Sequence, residues 1–536
     1  VDRGAWGAAI ARVAAAVALG AIVGGPLLRL FVELDGAALG ALLDPLELRA
    51  ARNTVAVVAG TTTLSLTAGV ALGVLLARTD LPHPERLRTW LVVPYVLPPY
   101  VTALGWLLLL NPATGWLYRG LDPYSLAGMI AVLAVEHTPL VLLATLDALG
   151  RMDGSLEEQA RIAGAGPLGT LRRVTLPLVA PAILAAASFV ASSSAAAFGV
   201  PYLLSTGASD PTFVLTTRIA QALDLDPAAG RPRAVALSLV LLAVGVVVPG
   251  LAGWWLRGRS TTTVRGKVVR PSVLPLGGLR WPAFAVVCAV IAATTALPLG
   301  AIALASVRPN LGSDGFTGTH YARLVTGPAA GVFARSAVTA AAAAAAAVGV
   351  GALVAWREVR AGDRALGAVA RLPYAVPGTV LALGLLLAFS APIRLIVLER
   401  VTFELHLADT AAFLALAWAL KYLALPVGTV GAALRAIDPA LEEAGRVAGA
   451  GPWAVGRRIV APLLAPSLAS AFALVFLPAF SEVTLATLLA GPRTPVVGTL
   501  LFERQTYGDP PGAAALAVGV VAVVLGVQAL ARRAGR

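Results

Sequence analysis

Four side chains that can carry charge stand where charge is expensive. Glu136 and His137 lie in the middle of one apolar run, Lys421 in a second and Glu482 in a third. Ionisable groups inside runs of about 20 apolar residues are rare, face a cavity or a partner, and mark solute pathways or proton relays. The interval from Glu136 to Lys421 is the same as the interval between two copies of a polar segment, so they are equivalents of opposite charge. Two arrangements are open. The pair faces across a pseudo-two-fold axis as a gate or pathway pair, or each residue pairs within its own half. Glu482, in Pro478-Ala479-Phe480-Ser481-Glu482-Val483-Thr484-Leu485, is the third pathway candidate.

Other chemistry is missing. The single cysteine, Cys288, sits in an apolar run, and His83, His137, His320 and His406 are scattered, so no metal-ligand spacing is present. A phosphate-binding loop needs Gly-x-x-x-x-Gly-Lys-Ser/Thr. The sole Gly-Lys, Gly266-Lys267, follows threonines and precedes valine, so the chain is expected not to hydrolyse ATP itself. A membrane-embedded enzyme would need a nucleophile, base and ligand cluster that the sequence does not offer.

At 58% hydrophobic and 13% charged residues, with a mean hydropathy of +0.83, the chain is a membrane protein; soluble domains carry about 25% charged residues. The net charge of +13 does not signal nucleic acid. Basic residues gather in alternate short loops, as in the positive-inside pattern, and the lysines are only Lys267 and Lys421. The first apolar run lacks a small-residue cleavage site and reads as a retained helix.

The polar segment Glu157–Pro181, EEQARIAGAGPLGTLRRVTLPLVAP, recurs at Glu442–Pro466 as EEAGRVAGAGPWAVGRRIVAPLLAP. Each copy reads as a short helix with two glutamates near its positive end, a Gly-x-Gly-Pro turn, and a second short helix with paired arginines leading to a proline. The upstream Asp153 and Leu156 meet Asp438 and Leu441. Two equal islands imply two equal docking points.

Glu158, Ala160, Gly164, Val174, Leu176 and Pro177 resemble the EAA-type loop of ABC importer permeases. The copy is similar through Glu443, Gly449, Ile459 and Pro462. It departs at Gly445 and Ala461, and it keeps the first alanine as Ala444. Phe-Gly-Val-Pro-x-Leu-Leu from Phe198 and Ser481-Glu482-x-Thr484-Leu485 resemble segments of fused ferric iron permeases, with thiamine and 2-aminoethylphosphonate permeases as relatives. The resemblance covers essentially the whole chain. It implies a fused two-half permease of a type I ABC importer in a bacterial inner membrane, with both EAA-type loops cytoplasmic. Its partners would be two copies of a cytoplasmic ATPase, which bind the ATP, and a periplasmic solute-binding protein. The permease itself would bind no cofactor and no nucleic acid. Glu157, Glu158, Ala160, Gly164, Glu442, Glu443, Ala444 and Gly449 would form the ATPase-coupling surface. Glu158 and Glu443 would contact basic residues of the ATPase, and Gly164 and Gly449 would supply the turns. Solute would arrive near Ser205–Arg233 and Gly491–Pro511, with ferric iron expected and thiamine or a phosphonate as alternatives. An ion-driven secondary transporter is the rival reading, with Glu136, His137, Lys421 and Glu482 relaying protons.

The elements that would position these residues are about twelve membrane helices. They fall near 8–32, 53–77, 89–111, 125–148, 178–204 and 234–256, then 281–305, 336–356, 373–391, 409–432, 464–490 and 512–531. The first repeat spans 1–256 with its loop at 153–181, a basic, flexible cytoplasmic linker spans 257–280, and the second repeat spans 281–536 with its loop at 438–466. Pro94-Tyr95-Val96-Leu97-Pro98 also returns as Pro373-Tyr374-Ala375-Val376-Pro377, and Ala103-Leu104-Gly105 as Ala382-Leu383-Gly384. Six helices per half put both halves in the same direction, a parallel repeat. With both islands placed inside, the larger share of the 41 basic residues lies on that side. The expected fold class is therefore an all-α membrane protein of two parallel six-helix repeats, the MetI-like permease fold.

Overall fold

The computed structural model describes residues 19–534 apart from 118–119, 121, 207–209, 226–229, 257–272, 398–400 and 507. Helix α1 (Leu19–Val32) and the short α2 (Gly36–Ala41) lead into α3 (Pro45–Arg78). Then come α4 (Pro84–Val96), α5 (Pro99–Leu110), α6 (Leu126–Arg151) and the short α7 (Ser155–Ile162). Helix α8 (Pro167–Ala196) is followed by α9 (Gly199–Thr206), α10 (Leu215–Leu225) and α11 (Gly230–Leu256). The second half runs through α12 (Gly277–Ser306), α13 (Thr319–Thr326), α14 (Pro328–Arg360), α15 (Arg364–Ala375) and α16 (Gly378–Phe389). A hairpin of β1 (Ile393–Val397) and β2 (Val401–Leu405) follows, then α17 (Ala411–Tyr422), α18 (Ala424–Ala436) and the short α19 (Pro439–Val447). Helices α20 (Trp453–Phe480), α21 (Thr484–Leu489), α22 (Val497–Thr506) and α23 (Pro510–Ala534) complete the chain.

Among the described residues, eight helices are long and apolar enough to cross a membrane, and eleven if each of three bent pairs counts as one span. Helix α1 is the described part of the first expected span; residues 8–18 of that span lie outside the described residues. The fold is thus the expected helical membrane protein, with one departure from all-α. The antiparallel hairpin pairs Ile393 with Leu405 and Val397 with Val401, between the spans expected at 373–391 and 409–432.

Proline decides where the remaining expectations fail. Three spans are broken: α4 and α5 meet at 98°, α15 and α16 at 106°, and α17 and α18 at 50°. The first break falls at Leu97-Pro98 and the second at Val376-Pro377. The third follows Tyr422, whose carbonyl is the one that the ring of Pro426, four residues on, cannot serve. At the start of α8 and α20 proline breaks nothing. The second helix of each island was expected to be a separate short segment, but α8 and α20 run unbroken into their membrane spans. In each, a π-turn stands just ahead of the proline: Leu171–Thr175 before Pro177, and Gly456–Val460 before Pro462. A third, Ala292–Ala296, precedes Pro298 in α12. The wider turn accommodates a residue that has no N–H to give. The spans expected at 178–204 and 464–490 instead stop at Ala196 and Phe480, and α9 and α21 are separate helices.

Small residues set the packing. Helix α3 lies on α6 at Gly69, where a Cβ would fall 2.6 Å from Val141 Cβ and 3.0 Å from the Leu142 amide nitrogen. Helix α14 lies on α18 at Gly351 in the same way, 2.7 Å from Pro426 Cγ and 3.2 Å from the Val427 nitrogen. The repeat also explains the matched Ala-Leu-Gly triplets. Gly105 of α5 approaches the Pro298 carbonyl of α12, and Gly384 of α16 approaches the Pro26 carbonyl of α1. The first helix of each half therefore packs on the other half. Close approach of this kind needs the smallest side chain.

Candidate functional site

Each island is built by its turn. Asp153 accepts from the Ser155 N–H at 3.0 Å and Asp438 from the Ala440 N–H at 2.9 Å, so matched aspartates start α7 and α19. Gly164 and Gly449 end them at φ +84° and +85°. The Ala165 N–H reaches the Ala160 carbonyl and the Gly164 N–H the Arg161 carbonyl; Ala450 to Gly445 and Gly449 to Arg446 repeat the pattern. This is a Schellman C-cap, which needs a left-handed residue at that glycine. Pro167 then opens α8 in the first-turn position where proline is favoured.

The glutamates of each island divide. Glu158 and Glu443 are exposed, as are Gly164, Ala444 and Gly449, and Ala160 is half-buried. Glu157 and Glu442 are turned inward, which corrects the expectation that they lie on a partner-facing surface. Arg78 Nε lies 3.0 Å from Glu157 Oε1, and the Thr175 hydroxyl donates to the same oxygen at 2.8 Å. Arg360 Nε lies 2.7 Å from Glu442 Oε1. The physical reason is helical phase: on α7 and α19 the first glutamate faces the bundle and the next points about 100° away. Apolar side chains join the exposed face at matched positions: Leu156 with Leu441, Ile162 with Val447, and Leu168 with Trp453. Val447 is 90% and Trp453 80% exposed.

The second feature is a cavity of about 370 Å³ between the halves. Its wall is made where helices begin. Pro99, Gly378, Gly199 and Thr484, the first residues of α5, α16, α9 and α21, all border it. Glu136, Lys421 and Glu482, drawn from three separated stretches of sequence, all border it too. Glu136 and Lys421 share the cavity without forming an ion pair. Lys421 Nζ donates to the Val376 carbonyl at 2.6 Å, a group freed by the α15–α16 break. Glu482 accepts from the Leu485 and Ala486 amides at 2.8 and 3.0 Å and from Trp418 Nε1 at 3.4 Å. His137 is buried, with Nδ1 2.8 Å from the Leu133 carbonyl and Nε2 3.0 Å from Ser193 Oγ. A carbonyl can only accept, so Nδ1 carries the proton and the Ser193 hydroxyl donates to Nε2 in the neutral ring.

Sequence reasoning missed several residues here. Tyr95 and Tyr374 fall at matched places in the Pro-Tyr repeats and both border the cavity, with Tyr100 and Tyr422. The Tyr100 hydroxyl is buried without a hydrogen-bond partner. Arg78 and Arg360 were also missed, although each ends the long helix at a corresponding place in its half, Arg78 directly after its apolar run and Arg360 after Arg357-Glu358-Val359. The two stretches expected to be outer delivery loops are not open. They contain α10 and α22, held by the Leu215 N–H on Thr54 Oγ1 at 2.9 Å and the Val497 N–H on Ser336 Oγ at 2.8 Å. Residues 207–209, 226–229 and 507 of those stretches lie outside the described residues, as does the linker from 257 to 272. The linker's last residues are tied down: the Leu274 N–H donates to the Arg78 carbonyl at 2.8 Å.

The family model of the binding-protein-dependent transport system inner membrane component matches residues 69–260 and again 347–535. Both islands, Glu136, Lys421 and Glu482 fall within the matched residues. A probable ABC transporter permease of Sinorhizobium fredii is 28% identical over 88% of this chain and 84% of its own length. An Fe(3+)-transport system permease of Haemophilus influenzae is 25% identical over 78% of this chain and 76% of its own. A molybdate/tungstate transport system permease of Pyrococcus abyssi is 32% identical over 27% of this chain and 55% of its own. With the family model met twice, across most of its length, the chain belongs to the binding-protein-dependent transport system inner membrane components, as a fused two-half permease of an ABC transporter.

Proposed function

We propose that this permease imports ferric iron, taking it from a periplasmic binding protein and releasing it to the cytoplasm while a separate ATPase, in two copies, hydrolyses ATP. The repeats at 1–256 and 281–536 are the two halves of the pore in this reading. Both islands face the cytoplasm of a bacterial inner membrane. Each presents one ATPase copy with the exposed glutamate, Glu158 or Glu443, and the apolar side chains beside it. Ala160, Gly164, Ala444 and Gly449 shape that surface, and Glu157 and Glu442 lie behind it, joined to Arg78 and Arg360. The alternative of an ion-driven secondary carrier has no use for two such matched surfaces and lies outside the family assigned above.

The cavity carries the choice of solute. Two carboxylates, four tyrosine rings and a single ammonium border it. Hard cations take oxygen ligands of this kind. Among the described residues no three His, Cys, Asp or Glu side chains gather closely enough to hold a metal ion. A passing cation would therefore meet oxygen without being trapped. Similarity to the Fe(3+) permease over three-quarters of the chain agrees. A tetrahedral oxyanion is the second reading. Helices α5 and α16 open on the cavity at their N-termini, which suit anions, and the molybdate/tungstate relative supports it.

The test is uptake by the chain reconstituted in liposomes with its ATPase and binding protein. ATP-dependent accumulation of radioactive ferric iron is expected, with molybdate left outside. Molybdate uptake with no iron uptake overturns the iron reading, and equal uptake with and without ATPase overturns the importer reading.

A further inference from the structure

We propose that Arg78 and Arg360 are positioning residues. Each locks an island to the end of the longest helix in its half, so that a push on the island is delivered along α3 or α14 to the far side of the membrane. This rests on the reading above that an ATPase docks on the islands.

One guanidinium joins three elements in each half. Arg78, the last residue of α3, holds Glu157 of α7 through Nε at 3.0 Å and the Leu149 carbonyl near the end of α6 through Nη2 at 3.0 Å. Arg360, the last residue of α14, holds Glu442 of α19 through Nε at 2.7 Å and the Ile437 carbonyl beyond α18 through Nη2 at 3.1 Å. A planar fork with fixed donors suits this better than a lysine would. The first pair is 3% exposed on both sides, the second 16% and 4%. No docking partner reaches such carboxylates, whereas their neighbours Glu158 and Glu443 are open.

The chain supplies its own comparison. Another buried pair, Arg218 with Glu47, ties α10 to α3 in the first half. In the register that sets Arg78 on Arg360, the second half has Leu500 and Ala329 at these two places. That ionic contact was dispensable to the architecture. The Arg–Glu contact at the island is present in both halves, although its surroundings differ: Thr175 assists Glu157, while Arg446 approaches Glu442 at 3.5 Å.

The far ends complete the path. Helix α3 holds α10 through Thr54, and α14 holds α22 through Ser336, which falls on Thr54 in the same register. Without the arginine the island joins the bundle only through the start of α8 or α20 and a short turn, and would swing on them. With it, the island and the long helix move as one piece.

The experiment uses the whole complex in lipid. Arg78→Gln, Glu157→Gln and Arg360→Gln are expected to retain the ATPase subunit and its hydrolysis, while solute moved per ATP falls at least tenfold. Arg78→Lys is expected to recover part of it. The double variant Arg78→Gln/Glu157→Gln is expected to be no worse than either single, because both break one contact. Glu158→Ala is expected to do the opposite, losing the ATPase subunit. Unchanged solute per ATP in Arg78→Gln overturns the proposal. So does loss of the ATPase from Glu157→Gln as complete as from Glu158→Ala. If Arg78→Gln does not accumulate, spin labels in a Cys288→Ser background at Leu156→Cys and Ala71→Cys replace it. One separation kept through the ATP cycle supports the lock, and a changing separation overturns it. A wild-type chain that retains no ATPase at all refutes the docking reading instead, before any variant is compared.

Discussion

Two glycines on one helix should respond oppositely to the same methyl group. At Gly349 of α14 a Cβ meets nothing within 4 Å, whereas at Gly351 it would lie 2.7 and 2.8 Å from Pro426 Cγ and Cβ and 3.2 Å from the Val427 nitrogen. Carbon atoms prefer about 3.5–4.0 Å, so α14 and α18 must part by roughly 1 Å. A proline ring and a backbone nitrogen cannot turn aside as a long side chain would. Both substitutions gain the helix preference of alanine, about 1 kcal/mol. Gly349→Ala should therefore be neutral or stabilising by up to that amount. Gly351→Ala carries an overpacking penalty of about 1–3 kcal/mol, so it should end up to about 2 kcal/mol less stable than the parent chain and about 1–3 kcal/mol less stable than Gly349→Ala. Gly69→Ala, with its still shorter approaches to Val141 and Leu142, should match it, and the double variant should add within about 0.5 kcal/mol because the sites lie in different halves. Denaturant titration in mixed micelles, followed by tryptophan fluorescence, reads these differences. Gly351 stands on α14 ahead of Arg360, roughly 13 Å along the helix. The displaced helix should therefore also weaken solute-stimulated hydrolysis. Equal stability of Gly349→Ala and Gly351→Ala would refute the close-packing argument.

Three further outcomes are expected. Glu47→Ala should lose about 3–5 kcal/mol by stranding the buried Arg218, Arg218→Leu should lose less because Arg233 Nε stays 3.3 Å from Glu47 Oε1, and the double variant should recover most of the Glu47→Ala loss, because the second half already places Ala329 and Leu500 there; denaturant titration decides, and a double variant as weak as Glu47→Ala refutes it. Gly164→Ala and Gly449→Ala meet no atom within 4 Å and should cost only the left-handed conformation, about 1–2 kcal/mol. Hydrogen exchange should quicken at the α7 and α19 ends while the global unfolding midpoint holds. Trp453→Ala should weaken ATPase docking by about 2 kcal/mol, as a large exposed aromatic anchor does, or roughly 30-fold in Kd; Leu168→Ala should weaken it less, and titration calorimetry with the isolated ATPase compares them.

What was legible in the sequence depended on how local its cause was. The islands could be read because a left-handed cap demands glycine and the next helix favours proline at its start, and both demands appear twice. The prolines near residues 98 and 377 were legible as a repeated motif, but not the bends that they make. A bend of about 100° survives in a membrane only if something serves the freed carbonyls, and Lys421 serves Val376 from a distant stretch of the chain. The opposite misreading, that Pro177 and Pro462 end a helix, has a local cause: a π-turn of five residues leaves no mark on the hydrophobic pattern. Glu136 and Lys421 stand at the interval of the repeat, and both border one cavity. Their pairing did not follow from equivalence, because charge decides which broken backbone each can serve. A lysine can donate to a freed carbonyl and a glutamate cannot. The second half therefore commits its cation to Val376, and Glu136 is left facing the cavity, with no arginine or lysine nitrogen in ion-pair contact among the described residues. The two halves repeat the fold and differ in charge at Glu136 and Lys421, which border the cavity between them.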